Sequence, residues 1–168
     1  KAAPKLCPVT LELGGKNPNI ILSDADLDIA IPGVIDGMRY TRQGQACTAG
    51  SRVYIHEKIY DKVLDGAVER LSKLKMGNAL DESSDIGAII SEEQLKRTLY
   101  YMDIAKKNPS TKILHGGNQS KGAEYRDGFY YEPTLLSGLP VNSPVCQEEI
   151  FGPVACAIPF KSFDEVIK

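Results

Sequence analysis

The stretch Arg52-Val53-Tyr54-Ile55-His56, followed directly by residues 57–75, decides the fold. Its first five residues are mostly β-branched or aromatic and predict a strand. The following residues predict a helix, because their apolar side chains recur at steps of three and four: Ile59, Val63, Leu64, Ala67, Val68, Leu71 and Leu74. A strand that runs into an amphipathic helix is the repeating unit of α/β proteins.

The same alternation continues upstream of this stretch. Residues 19–22 are largely apolar and are bounded by Pro18 and Ser23, which predicts a strand covered on both faces. Residues 23–26 then offer capping side chains and first-turn acids for a helix that runs towards Thr41. Pro32 lies inside that helix and predicts either a kink or its first turn.

The alternation also continues downstream. A helix is predicted from Ser91 to about Lys106, and strands are predicted over residues 111–115, 130–136 and 154–160. Pro133 favours an edge or bulge position for the second of these strands. The sequence therefore predicts a three-layer α/β fold, with a mostly parallel sheet and helices on both faces.

Composition excludes several classes of protein. The chain has 168 residues, a length typical of one domain, and is 42% hydrophobic and 25% charged. Its 20 Lys and Arg residues are scattered and offset by 22 acids, which argues against a nucleic-acid surface. No apolar run is long enough for a membrane helix. The four cysteines, at positions 7, 47, 146 and 156, are too far apart for a zinc motif or a dense disulfide framework, which favours the cytosol.

The two ends predict a fragment of a longer protein. The sequence opens on Lys1 rather than Met. At the other end, Ser162 and Glu165 have the spacing of a capping box, but the helix they would begin stops at Lys168. A helix interrupted after its first turns is expected within a longer chain.

The segment Gly44-Gln45-Ala46-Cys47-Thr48-Ala49-Gly50 sets one cysteine between two glycines and among small side chains. Small neighbours leave a thiol reachable, and glycines allow a backbone N–H to approach the atom that the sulfur attacks. Taken alone, the pattern is more typical of a turn that contains a packed cysteine.

Three motifs change that interpretation: Leu11-Glu12-Leu13-Gly14-Gly15-Lys16, Gly44-Gln45-Ala46-Cys47, and Glu148-Glu149-Ile150-Phe151-Gly152-Pro153. In this order and spacing they resemble the signature motifs of the aldehyde dehydrogenase superfamily, and the resemblance covers essentially the whole chain. It implies that residues 1–168 are part of a catalytic domain from which the upstream nucleotide-binding domain is absent. The absence of a GxGxxG fingerprint agrees with this expectation.

The resemblance implies a nucleophile and a base. Cys47 matches the family's nucleophile, which attacks an aldehyde carbonyl to give a thiohemiacetal and, after hydride transfer to NAD or NADP, a thioester. Glu12 matches the general base that activates water for deacylation, and burial beside Leu11 and Leu13 is expected to raise its pKa. The oxyanion donors in the family are the cysteine N–H and an asparagine amide from an earlier part of the chain.

The resemblance also implies cofactor ligands. Glu149 matches the acceptor for the hydroxyls of the nicotinamide ribose, and Phe151 matches the ring packed against that ribose and the nicotinamide. Gln94 contacts the cofactor in some family members. Glu148 is expected to be structural or solvated, although the sequence leaves open which of the two adjacent acids points inward.

The remaining cysteines and the two histidines receive no catalytic role. Cys7, Cys146 and Cys156 lie in apolar or strand contexts and are expected to be packing residues. His56 and His115 each end a predicted strand, and the resemblance assigns them nothing.

The resemblance implies an oxidoreductase that converts an aldehyde to a carboxylic acid, and the cysteine spacing predicts a cytoplasmic location. The resemblance also implies a homo-oligomer, a dimer or tetramer, in the intact protein, and no activity in the isolated chain. Two alternatives stay open. The first is a non-catalytic binding or assembly module. The second is a cofactor-independent thioester hydrolase or acyl transferase that uses Cys47 and Glu12.

Overall fold

The computed structural model describes residues 2–167 and contains one five-stranded sheet. The strands are β1 Pro18–Ile21, β2 Arg52–His56, β3 Lys112–His115, β4 Thr134–Ser137 and β5 Val154–Phe160. Their order across the sheet is β1-β2-β5-β4-β3. Four strands run parallel, and only β3 is antiparallel to its neighbour β4. The predicted mostly parallel sheet is therefore confirmed.

Helices cover both faces of this sheet. They are α1 Leu27–Met38, α2 Tyr60–Lys73, α3 Glu92–Lys107, the short α4 Pro144–Gln147 and α5 Phe163–Ile167. Buried residues of α1 and α2 share one core cluster with the sheet, and buried residues of α3 and α4 share a second. Two cores separated by a sheet give the three-layer arrangement that the sequence predicts.

The central strand β2 shows how the two cores are filled. Val53 and Ile55 point into the α1–α2 core, whereas Tyr54 points into the α3–α4 core. The same alternation continues along β5, where Ala155 and Ala157 face the first core. Because successive side chains of a strand point to opposite faces, a strand buried on both sides needs an apolar residue at every position.

Two of the expectations about strands are wrong. β1 is an edge strand, and Ile20 and the neighbouring Leu22 remain 38% and 44% exposed, so it is not covered on both faces. β4 lies between β5 and β3, and all four of its residues are buried. Pro133 does not displace β4 to an edge, because the strand begins one residue after the proline.

The helix boundaries differ slightly from the expected ones. The predicted helix over residues 57–75 begins as a 3-10 turn, Glu57–Ile59, before α2. α4 has no counterpart among the expected helices. The expected last helix is α5, and its terminal residue Lys168 lies outside the described residues. Within residues 2–167, none of the helices is long and apolar enough to cross a bilayer.

Candidate active site

Cys47 lies at the tip of an irregular loop, which we call the cysteine loop (residues 43–51). The loop follows α1 through three residues with left-handed backbone angles, Arg39, Gln43 and Gly44, at φ values of 58°, 54° and 63°. At its far end the Gly50 N–H donates to the carbonyl of Gly37 on α1, at 2.8 Å. The loop is therefore fixed to the helix while Cys47 itself stays exposed.

Asn17 fixes the cysteine loop from a second side. Its Nδ2 donates to the carbonyl oxygens of Cys47, at 2.6 Å, and Ala49, at 3.3 Å. Gly15 approaches the same loop so closely that an added Cβ would lie 2.6 Å from the Cys47 carbonyl oxygen. The end of the glutamate segment (residues 6–17) therefore packs directly against the backbone of Cys47.

Glu149 lies in the connection between α4 and β5, which we call the Glu149 loop (residues 148–153). Its Oε1 accepts a hydrogen bond from the Gly15 N–H at 3.0 Å. An added Cβ at Gly14 would overlap Oε2 of the same carboxylate, and one at Gly44 would overlap the carbonyl of Gly152. The structure thus brings together the three motifs, which are far apart in sequence.

The two adjacent acids of the Glu149 loop have different environments. Glu148 turns towards α3, where its Oε2 accepts a hydrogen bond from the Tyr101 hydroxyl at 2.6 Å. Burial, and then this bond to Glu148, raise the pKa of Tyr101. Arg97 donates from Nε to the Glu149 carbonyl at 3.2 Å, and its guanidinium stacks on the Tyr101 ring. Glu148 is therefore structural, and Glu149 is the acid that contacts the glutamate segment at Gly14 and Gly15.

Phe151 has a backbone conformation that is rare for a residue with a side chain, with φ of 57°. The Nε2 of Gln94 holds this turn in place by donating to the carbonyls of Ile150 and Phe151, both at 2.8 Å. The amide nitrogen of Gln94 is thus already occupied in positioning Phe151. Its contact with a cofactor stays a prediction, as do the cofactor roles of Phe151 and Glu149.

Glu12 is placed differently from the expectation. The side chains of Leu11 and Leu13 are 68% and 70% exposed, and Glu12 between them is exposed as well. The expected burial of Glu12 is therefore wrong within this chain. The reason is that residues 6–17 form no helix or strand, so no backbone pattern turns the leucines towards a core.

Sequence reasoning missed Lys16, the residue that follows the two glycines. Its Nζ is buried and has no hydrogen-bond partner among the described residues. Burial lowers the pKa of Lys16, and the nearby Cys156, Cys146 and Glu149 partly offset this effect. Nothing in the local sequence marks this lysine as buried, because its environment comes from β5 and α4.

The remaining cysteines divide into two groups. Cys146 and Cys156 are completely buried, which confirms that they pack in the core. Cys7 is exposed, so its expected packing role is wrong. It lies in the part of the glutamate segment that no element covers.

Both histidines have structural contacts. The Nδ1 of His56 accepts a hydrogen bond from the Lys58 N–H at 3.2 Å and so caps the 3-10 turn before α2. The Nδ1 of His115 lies 2.8 Å from the carbonyl oxygen of Pro133. Neither contact places a histidine beside Cys47.

The cavity where the three motifs meet is small. It has a volume of about 10 Å³ and is lined by residues that include Gly15, Gly44, Glu149 and Phe151. This volume accommodates about one water molecule. The larger grooves, of about 450 Å³ and 540 Å³, lie beside β1 and α1 and beside α2 and β3. Within residues 2–167, the cavity between the three motifs is therefore too small to hold an aldehyde.

Comparison with known proteins agrees with this arrangement of motifs. The sequence model of the aldehyde dehydrogenase family matches residues 1–168. The chain belongs to the aldehyde dehydrogenase family.

Relatives are similar over nearly the whole chain. It is 41% identical over 167 residues to the putative aldehyde dehydrogenase DhaS of Bacillus subtilis, covering 99% of this chain and 32% of that protein. It is 39% identical to the D-glyceraldehyde dehydrogenase (NADP(+)) of Picrophilus torridus, covering 99% and 33%. The chain thus spans about one third of the length of these relatives.

Solved structures of the family have the same fold. The NAD+ complex of an aldehyde dehydrogenase from Bacillus cereus superposes with a TM-score of 0.89 at 39% identity, covering 99% of this chain and 33% of that one. A betaine aldehyde dehydrogenase from Staphylococcus aureus, in complex with NAD+, superposes with a TM-score of 0.90 at 37% identity, covering 99% and 32%. The predicted family and fold class are therefore confirmed.

Proposed function

We propose that residues 1–168 form part of the catalytic domain of an NAD(P)-dependent aldehyde dehydrogenase, which oxidises an aldehyde to a carboxylic acid. The observation that carries the proposal is the meeting of the three motifs around one exposed thiol. Asn17 and Gly15 join the glutamate segment to Cys47, and Gly15 also joins it to Glu149. The NAD+ complexes of solved relatives and the NADP+-dependent relative support the choice of cofactor.

Cys47 is the nucleophile in this proposal. Its thiol is exposed, and the thiolate attacks the aldehyde carbonyl carbon to form a C–S bond and an oxyanion. The N–H of Cys47 has no acceptor among residues 2–167 and is therefore free to donate to that oxyanion. The hydrogen bond from Asn17 to the Cys47 carbonyl fixes the backbone on which this donor depends.

The Glu149 loop fits the ribose end of a nicotinamide cofactor. Oε1 of Glu149 accepts from the Gly15 N–H, whereas Oε2 has no donor among the described residues and remains free for a ribose hydroxyl. Phe151 is half-buried, and Gln94 fixes the backbone turn that carries its ring. NAD(P)+, when bound, supplies the acceptor for the hydride that leaves the carbon attached to the Cys47 sulfur.

Glu12 is the base for the second half of the reaction. It takes a proton from a water molecule, whose oxygen attacks the thioester carbonyl carbon. The C–S bond then breaks, the carboxylic acid leaves, and Cys47 is restored as a thiolate. Glu12 is exposed, which gives it access to water and leaves it without an apolar cover among residues 2–167.

For this reason we propose that the isolated chain turns over poorly. Its nucleophile is reachable, but its base is solvated and its central cavity holds about one water molecule. Aldehyde-dependent formation of NAD(P)H by the 168-residue chain should be close to background. Robust turnover would contradict this part of the proposal. Alkylation of Cys47 by iodoacetamide, in a Cys7→Ser background, should still proceed.

The decisive test uses the intact protein and compares three variants. Cys47→Ala should abolish the formation of NAD(P)H. Glu12→Gln should lower the steady-state rate by about 10² to 10⁴ while leaving a single-turnover burst of NAD(P)H, because only deacylation needs the base. Cys7→Ser is the matched control for loss of an exposed thiol and should leave the rate unchanged.

Two outcomes would contradict the proposal. An unchanged steady-state rate in Glu12→Gln would remove Glu12 as the base. Acyl transfer from an activated ester through Cys47 at full rate, with no NAD(P)H formed from any aldehyde, would favour the cofactor-independent hydrolase instead.

A further inference from the structure

The cysteine loop has a third attachment, which joins it to the start of α3. Oε1 of Gln45 accepts a hydrogen bond from the Ile90 N–H at 3.1 Å. Ile90 directly precedes Ser91, whose hydroxyl caps α3 by accepting from the Gln94 N–H at 3.2 Å. The side chain of Ile90 is 78% exposed, so apolar packing contributes little at this point. The attachment therefore depends on the amide of Gln45.

The same helix also supports the cofactor side of the candidate site. Gln94 lies in the first turn of α3, and its Nε2 donates to the carbonyls of Ile150 and Phe151, both at 2.8 Å. One end of α3 is thus bonded both to the cysteine loop, through Gln45, and to the Glu149 loop, through Gln94. The position of the nucleophile relative to Phe151 is set through this helix.

The backbone around Cys47 has no regular structure of its own to hold it. Residues 43–51 contain no helix or strand. Asn17 binds the carbonyl of Cys47 itself and that of Ala49, on the far side of the nucleophile. Gln45 lies two residues before Cys47 and holds the near side. A loop without a hydrogen-bonded ladder takes its position from such side-chain contacts, so Cys47 is fixed between these two residues.

We propose that Gln45 is a positioning residue for the attack of Cys47 on the aldehyde. By accepting from the Ile90 N–H, it holds the Cys47 N–H where that group donates to the oxyanion. This inference rests on the proposed function, in which the Cys47 N–H is an oxyanion donor. Without the acceptor on Gln45, the near side of the loop is released and the donor loses its alignment, which slows formation of the C–S bond.

The test uses the intact protein and three variants. Gln45→Met removes the acceptor and keeps the length of the side chain, whereas Gln45→Glu keeps an acceptor oxygen. Gln119→Met, in the segment after β3, is the matched control for loss of an amide outside the site. The measurement is the rate constant of the single-turnover burst of NAD(P)H. The substrate is acetaldehyde, benzaldehyde or glyceraldehyde, whichever the natural enzyme oxidises fastest.

The burst should separate the variants. Gln45→Met should lower its rate constant by about 10- to 100-fold, because the oxyanion donor is displaced rather than removed. Gln45→Glu should restore most of the loss, and Gln119→Met should leave the rate constant unchanged. An unchanged burst in folded Gln45→Met, or no recovery in folded Gln45→Glu, would overturn the proposal. Absence of NAD(P)H formation by the natural enzyme would instead overturn the proposed function on which it rests.

A second measurement distinguishes positioning of the donor from general damage to the loop. Alkylation of Cys47 by iodoacetamide, in a Cys7→Ser background, needs an exposed thiolate but forms no oxyanion. Its rate should stay within about twofold of the natural value in Gln45→Met, because exposure of the thiol does not depend on Gln45. Circular dichroism establishes that each variant is folded. A fall in alkylation as large as the fall in the burst would overturn the proposal.

Discussion

The Glu149 loop and the glutamate segment each contribute one glutamate to the candidate site, but the chain holds them in opposite ways. Side chains from α3 bind the Glu149 loop at several points: Gln94, Arg97 and Tyr101. The glutamate segment has no regular structure over residues 6–17, and its Leu6 is 92% exposed. Only its last residues are held, through Gly15 and Asn17.

The difference shows which half of the site is preorganised within this chain. Electrostatic catalysis and ligand recognition depend on groups that are already in position before the ligand arrives. The side that carries Glu149 meets this condition because a packed helix supports it. The side that carries Glu12 does not. Substitutions should therefore destabilise the chain when they affect the supported half and have little effect when they affect the other.

The largest effect is expected for Gly44→Ala, where the cysteine loop contacts the Glu149 loop. Gly44 has φ of 63°, and an added Cβ would overlap the carbonyl of Gly152. Left-handed strain and displacement of the backbone should together lower the free energy of unfolding by about 3 kcal/mol. Urea unfolding monitored by circular dichroism measures this change.

Gly33→Ala is the matched control for that substitution. Gly33 lies inside α1, and an added Cβ would meet nothing within 4 Å. Alanine is favoured over glycine in a helix, so the free energy of unfolding should rise by about 0.5–1 kcal/mol. Equal losses in the two variants would remove the argument that the contact between loops matters.

An intermediate effect is expected for Gln94→Ala. The substitution leaves the carbonyls of Ile150 and Phe151 without their shared donor, which should lower the free energy of unfolding by about 2 kcal/mol. Glu93→Ala, on the exposed neighbouring position of α3, should change it by less than about 0.5 kcal/mol. A Gln94→Ala chain as stable as the control would mean that α3 does not support the Glu149 loop.

A smaller effect separates the two glutamates themselves. Glu149→Gln weakens the hydrogen bond from the Gly15 N–H and should lower the free energy of unfolding by about 1 kcal/mol. Glu12→Gln should change it by less than about 0.5 kcal/mol, because Glu12 is exposed. Denaturant titrations of the two variants under one condition provide the comparison. Reversal of the order would show that the glutamate segment is held more firmly than its exposure indicates.

The sequence predicts the fold well where periodicity and burial coincide. β2 begins at Arg52 and ends at His56, as expected, because apolar residues fill both of its faces. The prediction fails for β1 and β4, since a four-residue run does not reveal whether a strand lies at the edge or in the middle of a sheet. Strand order is a property of tertiary pairing.

The sequence predicts the candidate site less completely than the fold. Resemblance to a family gives Cys47 and Glu149, and the structure places both around Gly15. It does not give the supporting residues Arg97 and Tyr101, because their partners lie about 50 residues away and no local pattern marks them. The burial of Lys16 is missed for the same reason.

Lys16 also provides the smallest and most specific prediction. Burial holds its folded-state pKa below the ordinary 10.5, so the charged form makes folding less favourable. Between the lowered pKa and 10.5 the unfolded chain binds more protons than the folded one, and the free energy of unfolding contributed by Lys16 therefore rises with pH.

The Lys16→Met variant lacks this rise. Its stability advantage over the natural chain should shrink as the pH approaches 10.5. Urea titrations at a series of alkaline pH values measure the free energy of unfolding of both chains. Parallel dependence on pH in the two chains would contradict the burial of the charge. Lys62→Met, on the exposed surface of α2, is the matched control for loss of a positive charge.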